Sequence, residues 1–213
     1  PRSAAGAVRK LVRFAKGHRA SDRLFPPDQI GSGGREQAIP LVVHQTAESR
    51  GVHPLHAKSI EQFRALNPGL SFLLFDRAAR DEYMQERWSD HPILDVYQRA
   101  LVGQMQADIF RYCIVFDRGG YYFDYNKGCS VPLRTLHTAD SEGLVTAESN
   151  LSLVFPKNEA AQELSHPTNL YAQWGFGFRA KHPLLHIAIE RMSRLSRSSE
   201  TNNFPFQKKR SWQ

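Results

Sequence analysis

The sequence predicts an α/β fold, with a mostly parallel, Rossmann-like sheet flanked by helices. Two observations carry this. Short apolar runs with strand character alternate along the chain with longer segments of helical period. One such helix, ending in Gly119-Gly120, feeds directly into the aromatic run Tyr121-Tyr122-Phe123. Strand, helix, strand, helix, strand in this order implies right-handed βαβ crossovers.

Ile39-Pro40-Leu41-Val42-Val43 reads as a buried strand that ends in the polar triplet His44-Gln45-Thr46. Between Leu55 and Leu66, Ile60, Phe63 and Leu66 recur on one helical face, and Asn67-Pro68-Gly69 stops that helix. Ser71 to Phe75 reads as a second strand, and Asp76 as the N-cap of the helix after it. Val102, Met105, Ile109, Tyr112, Cys113 and Phe116 form an apolar stripe with a period near 3.6. Gly119-Gly120 closes that helix, because glycine tolerates the left-handed backbone at a helix C-terminus. Tyr121 to Tyr125 reads as a strand ended by Asn126-Lys127-Gly128, and Leu144 to Ala147 as a later strand.

Composition bounds the class. The chain has 213 residues, of which 41% are hydrophobic and 11% aromatic, enough for one domain with a core. A formal charge of +7 suits anionic partners such as nucleotide diphosphates or an acidic membrane surface. The basic residues are dispersed and no nucleic-acid-binding module is present, so nucleic acid is not expected as a partner. Cys113 and Cys129 belong to no Cys/His cluster, which argues against zinc and fits a reducing, cytoplasmic setting. His53 and His56 form an H-x-x-H without further ligands. No apolar run reaches the ~20 residues of a membrane span. The chain begins with Pro1 rather than Met, which leaves room for an upstream segment.

Residues 1–38 are expected to hold a basic N-terminal helix (packed, mobile or lying on the inner face of an anionic membrane) followed by a Pro/Gly/Ser linker at Pro26 to Gly34. Residues 39–213 form the domain proper.

Ligands of open α/β sheets bind beyond the carboxyl ends of the strands. Two polar clusters lie there: His44-Gln45-Thr46 and Asp124-Tyr125-Asn126. By strand alternation Asp124 and Asn126 reach one side together. Asp108 and Arg111 share a helix face off the apolar stripe, where an ordinary surface ion pair is the plainer reading. Trp174-Gly175-Phe176-Gly177-Phe178-Arg179 suits either sugar stacking or strand packing in the core. Glu148 follows a strand end and reads as solvent-exposed or as facing a sugar.

Read together, Ala107 to Tyr112 and Gly119 to Asn126 resemble the DxD sugar-binding region of glycosyltransferase family 32, which includes Och-type mannosyltransferases and capsular polysaccharide transferases. Ile39 to Thr46 is similar to that family's opening Ile-Pro-Lys-Ile-Ile-His-Gln-Thr. Asn67-Pro68-Gly69 with Phe75-Asp76 matches its Asn-Pro-Gly…Trp-Asp segment. The likeness runs from about Ile39 to Leu133, with an echo at Ala180 to Pro183.

The resemblance implies a GT-A fold and a retaining hexosyltransferase. Its donor is a UDP- or GDP-linked sugar, and its acceptor a glycan or lipid-linked precursor of polysaccharide biosynthesis. It places His44, Gln45, Thr46 and Tyr112 at the donor, with Asp108 and Arg111 on the sugar or ribose as catalytic residues. Asp124 is the first DxD carboxylate, catalytic and metal-binding. A divalent cation, Mn2+ or Mg2+, stabilises charge on the departing diphosphate.

Two departures stand out. Asn126 occupies the second carboxylate position of the metal pair, and an amide oxygen ligates without supplying charge. Lys127 follows it, so cationic side chains are expected to share the donor-binding and leaving-group role. No match to the family's downstream elements follows Pro183, which leaves open a C-terminally truncated chain. The alternative reading is a degenerate domain that binds nucleotide-sugar or glycan without turnover.

Overall fold

A computed structural model describes residues 23–34, 36–147 and 171–198. The basic N-terminal stretch, Glu148 and the aromatic tail lie outside the described residues.

The core of the fold is a five-stranded sheet. Strand β2 (Val42–Thr46) lies between β4 (Ser71–Phe75) and β5 (Gly120–Phe123), and β7 (Tyr171–Phe178) and β6 (Gly143–Ala147) complete the order β4-β2-β5-β7-β6. A two-stranded antiparallel ribbon, β1 (Arg23–Leu24) with β3 (Gly51–Val52), stands apart from it. The sheet is mixed rather than mostly parallel. β2 pairs in parallel with β4 and β5, whereas β7 pairs antiparallel with both β5 and β6. The parallel half follows from helical crossovers. Leaving β5, the chain instead turns at Asp124 and reaches β6 through irregular backbone and a short 3-10 turn, Leu133–Thr135. Residue pattern reports strand character but not strand direction.

Helix α1 (Pro54–Ala65) connects β2 to β4. Helices α2 (Arg77–Trp88), α3 (Ile93–Arg99) and α4 (Gly103–Arg118) connect β4 to β5, and α5 (Pro183–Ser198) follows β7. The expected strand at Ile39 to Val43 is shifted toward its C-terminus: Pro40 lacks the N–H that a ladder needs, so pairing begins at Val42 and takes in the His-Gln-Thr triplet. β4 spans the expected residues, and Asp76 caps α2, its Oδ1 accepting from the Ala79 amide at 3.1 Å.

Alternation along β5 sets the layers. Tyr121 and Phe123 join Ile39, Val43, Phe63 and Phe72 on the α1 side, while Tyr122 packs with Phe110, Ile114 and Phe176 on the α4 side. Both faces of the strand are therefore covered, which explains its uninterrupted aromatic sequence. The buried face of α4 is wider than the predicted stripe and includes Phe110, Ile114 and Val115. Val102 lies before the helix and is half exposed.

The segment expected to be a linker is laid along the outer edge of β4. Gln29 and Phe72 exchange backbone hydrogen bonds, and Asp28 Oδ1 accepts from the Leu74 amide at 3.1 Å. Covering an open edge in this way satisfies backbone groups that would otherwise recruit another strand.

The aromatic-glycine run Trp174 to Phe178 is strand packing. Phe176 and Phe178 are buried, and Gly175 and Gly177 lie beneath the rings of Phe123 and Tyr121. A Cβ on Gly177 would stand 2.4 Å from the Tyr121 ring, which is wholly buried. Gly177→Ala should therefore lower unfolding stability by about 1–3 kcal/mol, as overpacking does, in urea titration of purified protein. An unchanged midpoint would show that Tyr121 can move aside.

Candidate active site

The order of the parallel strands locates the site. From β2 the chain moves to one side, through α1, to β4. It then crosses back through α2, α3 and α4 to β5 on the other side of β2. The direction of winding reverses between β2 and β5, and an open α/β sheet binds its ligands at the carboxyl ends of such strands. A cleft of about 340 Å3 lies there, lined by residues that follow β2 (Thr46, Glu48) and β5 (Asp124, Asn126) and by Arg80 and Arg111 from the helices.

Arg111 anchors one end. Its side chain is only 7% exposed, and its guanidinium lies 5.1 Å over the Tyr122 ring. Nη1 donates to the carbonyl of Gln173 at 2.7 Å, and Nη2 donates to Asp108 Oδ1 and stands 3.9 Å from Asp124 Oδ1. The Asp108–Arg111 pair is thus no ordinary surface pair, because one partner is buried. Burial pushes the Asp108 carboxyl above its ordinary pKa, and the nearby Asp124 adds to this while Arg111 opposes it. Tyr122 donates its hydroxyl to Asp124 Oδ1 at 2.9 Å. Burial above all, with Asp124 alongside, pushes that hydroxyl well above the usual phenol range, so it remains a donor.

Arg80 anchors the other end. It is fully buried, and it donates to Thr46 Oγ1 at 3.0 Å, to the Tyr97 hydroxyl at 3.0 Å and to Glu48 Oε1 at 2.9 Å. Sequence reasoning missed Arg80 and Glu48. The signal was present: Arg80 falls on the α2 face that also carries Tyr83, Met84 and Trp88, and a charge on an apolar face needs a buried partner.

The other expected site residues divide. Thr46 lines the cleft. His44 and Gln45 do not; both are 1% exposed, in the interior of the sheet. Tyr112 stacks on Phe176 at 5.7 Å, against the core rather than in the cleft. Asp124 and Asn126 both line the cleft, though not by strand alternation. β5 ends at Phe123, and the Lys127 amide donates to the Asp124 carbonyl at 2.8 Å, closing a turn. Lys127 stands 5.7 Å over the Trp174 ring and lines a neighbouring groove of about 730 Å3 with Phe63, Leu66 and Cys129. His53 caps α1, its Nδ1 accepting from the Leu55 amide.

The donor set does not fit a cation held by the protein alone. Asp124 is already engaged by Tyr122, its partner at the second motif position is the uncharged Asn126, and hard divalent cations take six or more oxygen ligands. Among the described residues no group of three or more His, Cys, Asp or Glu side chains could hold a metal ion.

A buried arginine held among carboxylates at the switch point of a GT-A-like sheet is how this chain presents its Asp-x-Asn turn. Residues 54–142 match the family model described as "Glycosyltransferase sugar-binding region containing DXD motif". Residues 54–142 thus carry a DXD-type sugar-binding region on a GT-A type fold, and the chain is related in sequence to fungal mannosyltransferases. It is 24% identical over 172 residues to inositol phosphoceramide mannosyltransferase 1 of Schizosaccharomyces pombe, covering 79% of this chain and 47% of the relative. It is 27% identical over 112 residues to mannosyl phosphorylinositol ceramide synthase CSH1 of Saccharomyces cerevisiae, covering 51% and 29%. The chain thus spans less than half the length of these curated relatives. Among solved structures, the PaToxG glycosyltransferase shares the fold with a TM-score of 0.52 at 11% identity, over 91% of this chain and 69% of that one.

His44 carries a pH prediction. Nε2 lies 3.0 Å from the Gly119 carbonyl, and burial, aided by Arg118 and opposed by the Gly119 bond, lowers its pKa to about 4. The unfolded imidazole titrates near 6.5. Between those values the unfolded chain binds the proton and the folded chain does not. Stability should be full above about pH 6.5 and fall as pH drops through about 4, by roughly 3 kcal/mol in total. Urea unfolding across pH 4–7 checks this. His44→Gln should flatten the profile, and an equally steep one would assign the effect to another group.

Proposed function

We propose that this chain binds a nucleotide-diphosphate sugar in the cleft between the ends of β2 and β5 and transfers the sugar to an acceptor hydroxyl. The observation that carries this reading is the cluster of Arg111, Asp108, Asp124 and Tyr122 at the end of β5, beside the Arg80–Glu48 pair at the end of β2.

The Thr46 end of the cleft takes the nucleoside, and the Asp124 end takes the sugar and diphosphate. In the reaction the bond from the anomeric carbon to the diphosphate breaks, its electron pair goes to the leaving oxygen, and the acceptor oxygen bonds to the anomeric carbon while losing its proton. Arg111 is the cation in the cleft placed to hold the negative charge that grows on the leaving group. Lys127 lies over Trp174 and lines the neighbouring groove rather than this cleft, so this reading gives the leaving-group role to Arg111. Retention of anomeric configuration is part of this proposal and rests on the family 32 resemblance.

The names of the fungal relatives favour a mannosyl group, hence GDP-mannose, and an acceptor carrying a lipid. Asp124 and Asn126 would be the residues to hold a divalent cation, Mn2+ or Mg2+, in the presence of donor, and the cation would supply positive charge to the departing diphosphate. The work takes place at the cytoplasmic face of a membrane, with the basic stretch that opens residues 1–38 as the peripheral contact and residues 39–213, together with the segment docked along β4, as the transferase domain. No helix among the described residues is long and apolar enough to cross a membrane.

Calorimetric titration with GDP and UDP, each with and without Mn2+, tests the site. The intact protein should bind one of the two, and Asp124→Ala should weaken binding of the matching nucleotide sugar at least tenfold, the loss of one hydrogen bond from a sugar hydroxyl to a charged group at about 1.5–3 kcal/mol. Mn2+ should add only a few-fold. No binding of either nucleotide would overturn the reading. Nucleotide binding without hydrolysis of the donor sugar would favour a binding domain without turnover, the reading that Asn126 supports.

The guanidinium makes a second prediction. Arg111→Lys keeps the charge but cannot hold Gln173, Asp108 and the Tyr122 face together. Donor hydrolysis should fall by about 10²-fold, in the range seen when one charge-stabilising group is lost, with the thermal midpoint lowered less than in Arg111→Met. Hydrolysis at the wild-type rate in Arg111→Lys would remove Arg111 from the reaction.

A further inference from the structure

Glu48 is the carboxylate on the β2 side of the cleft, and nothing in the family motif points to it. It follows Thr46 by two residues, and its side chain is 55% exposed although its partner Arg80 is 1% exposed. Arg80 does not depend on Glu48 alone, since Thr46 and Tyr97 also accept from it. The ion pair therefore serves to hold Glu48 in place.

The start of α4 makes room for the carboxylate. Gly103 opens that helix, and a Cβ on it would stand 2.0 Å from Glu48 Oε1. Gly103 has no positive φ, so its glycine is explained by space and not by backbone conformation. The first turn has no side-chain cap, because Val102 supplies none, and a negative charge beside a helix N-terminus is favoured. Glu48 is thus fixed from two sides, by a buried cation and by a helix start, in a cleft open to solvent. Its bond to Arg80 uses Oε1, which leaves Oε2 and further lone pairs for a ligand.

We infer that Glu48 recognises the ribose diol of the nucleotide donor, with Arg80 and Gly103 as the residues that position it. This rests on the reading of the cleft as a nucleotide-sugar site with the nucleoside at its Thr46 end. A carboxylate accepts only, and adjacent hydroxyls are a pair of donors at matching spacing. In Rossmann dinucleotide sites an acidic residue beyond a strand end likewise binds the ribose 2′-hydroxyl. Asp124, the carboxylate at the opposite end, already receives the Tyr122 hydroxyl.

The test is calorimetry with GDP and UDP and with their 2′-deoxy counterparts. The wild-type protein should bind the ribonucleotide about tenfold more tightly than the deoxy form, the value of one charge-assisted hydrogen bond. Glu48→Gln retains an oxygen for Arg80 but loses the anion, and its preference should fall to about twofold or less. Gly103→Ala is the second variant. Its methyl group displaces the flexible end of Glu48, while Thr46 and Tyr97 still accept from Arg80, so the variant should fold and unfold in one cooperative thermal transition. Its ribose preference should fall like that of Glu48→Gln, with deoxynucleotide affinity little changed. Binding with no ribose preference in the wild type, or a preference kept in both variants, overturns the role of Glu48 and leaves the donor site standing. No nucleotide binding at all overturns the donor site and this role with it.

Discussion

Between the last turn of α4 and the first residue of β5 the chain has no space for a side chain. Gly119 and Gly120 have φ values of 69° and 97°, and Cβ atoms on them would stand 2.7 Å from the Ala180 amide nitrogen and 2.5 Å from the Val42 side chain. This junction sets α4 hard against the sheet and inserts β5 between β2 and β7. The same carbonyl that follows the helix, that of Gly119, meets the ring of His44. Because α4 and β5 leave one junction in fixed directions, Arg111, midway along the helix, meets Asp124, just past the end of the strand, although thirteen positions separate them in sequence. A side chain at either glycine would be strained by the left-handed backbone and would collide with Ala180 or Val42, so the junction would have to open.

The cleft that results is a balanced set of charges rather than a basic hollow. Arg80 faces Glu48, and Arg111 faces Asp108 and Asp124. Each guanidinium is buried, and each has carboxylate oxygens held within reach by strand ends or helix turns. Buried pairs of this kind are weak evidence for stability, because desolvation offsets most of the attraction. Their value lies in geometry fixed before a ligand arrives. A fold shared with a solved glycosyltransferase at 11% identity is compatible with this, since fold sets where strand ends lie and side chains there set the chemistry.

Much of the fold is legible along the chain where one local rule decides the outcome. Ser71 to Phe75 is a strand, Asp76 caps the next helix and Gly119-Gly120 ends α4, each for a reason contained in a few neighbouring residues. The start of β2 is misplaced by reading apolar character through Pro40, which cannot join a ladder. The stretch from Pro26 to Gly34 has the composition of a linker but lies along β4, because the open edge of a strand needs partners wherever they come from. The direction of β7 leaves no trace in residue pattern, so the sheet is mixed where a parallel one is expected.

At the site the same division holds. Sequence alone determined that polar side chains gather at the ends of β2 and β5, with Asp124 among them, and that the second motif carboxylate is an amide at Asn126; it offered Arg111 only through the family resemblance. These are properties of residue type and order. Only the tertiary structure decided that His44 and Gln45 are interior, that Tyr112 belongs to the core, that Asp124 sits at a turn rather than on a strand, and that Glu48 and Arg80 complete the cleft. The reason is physical. A polar side chain one residue further along a strand faces the opposite layer, and whether it meets ligand or core depends on which helix covers that layer. That depends on contacts between residues far apart in sequence, which local pattern does not encode.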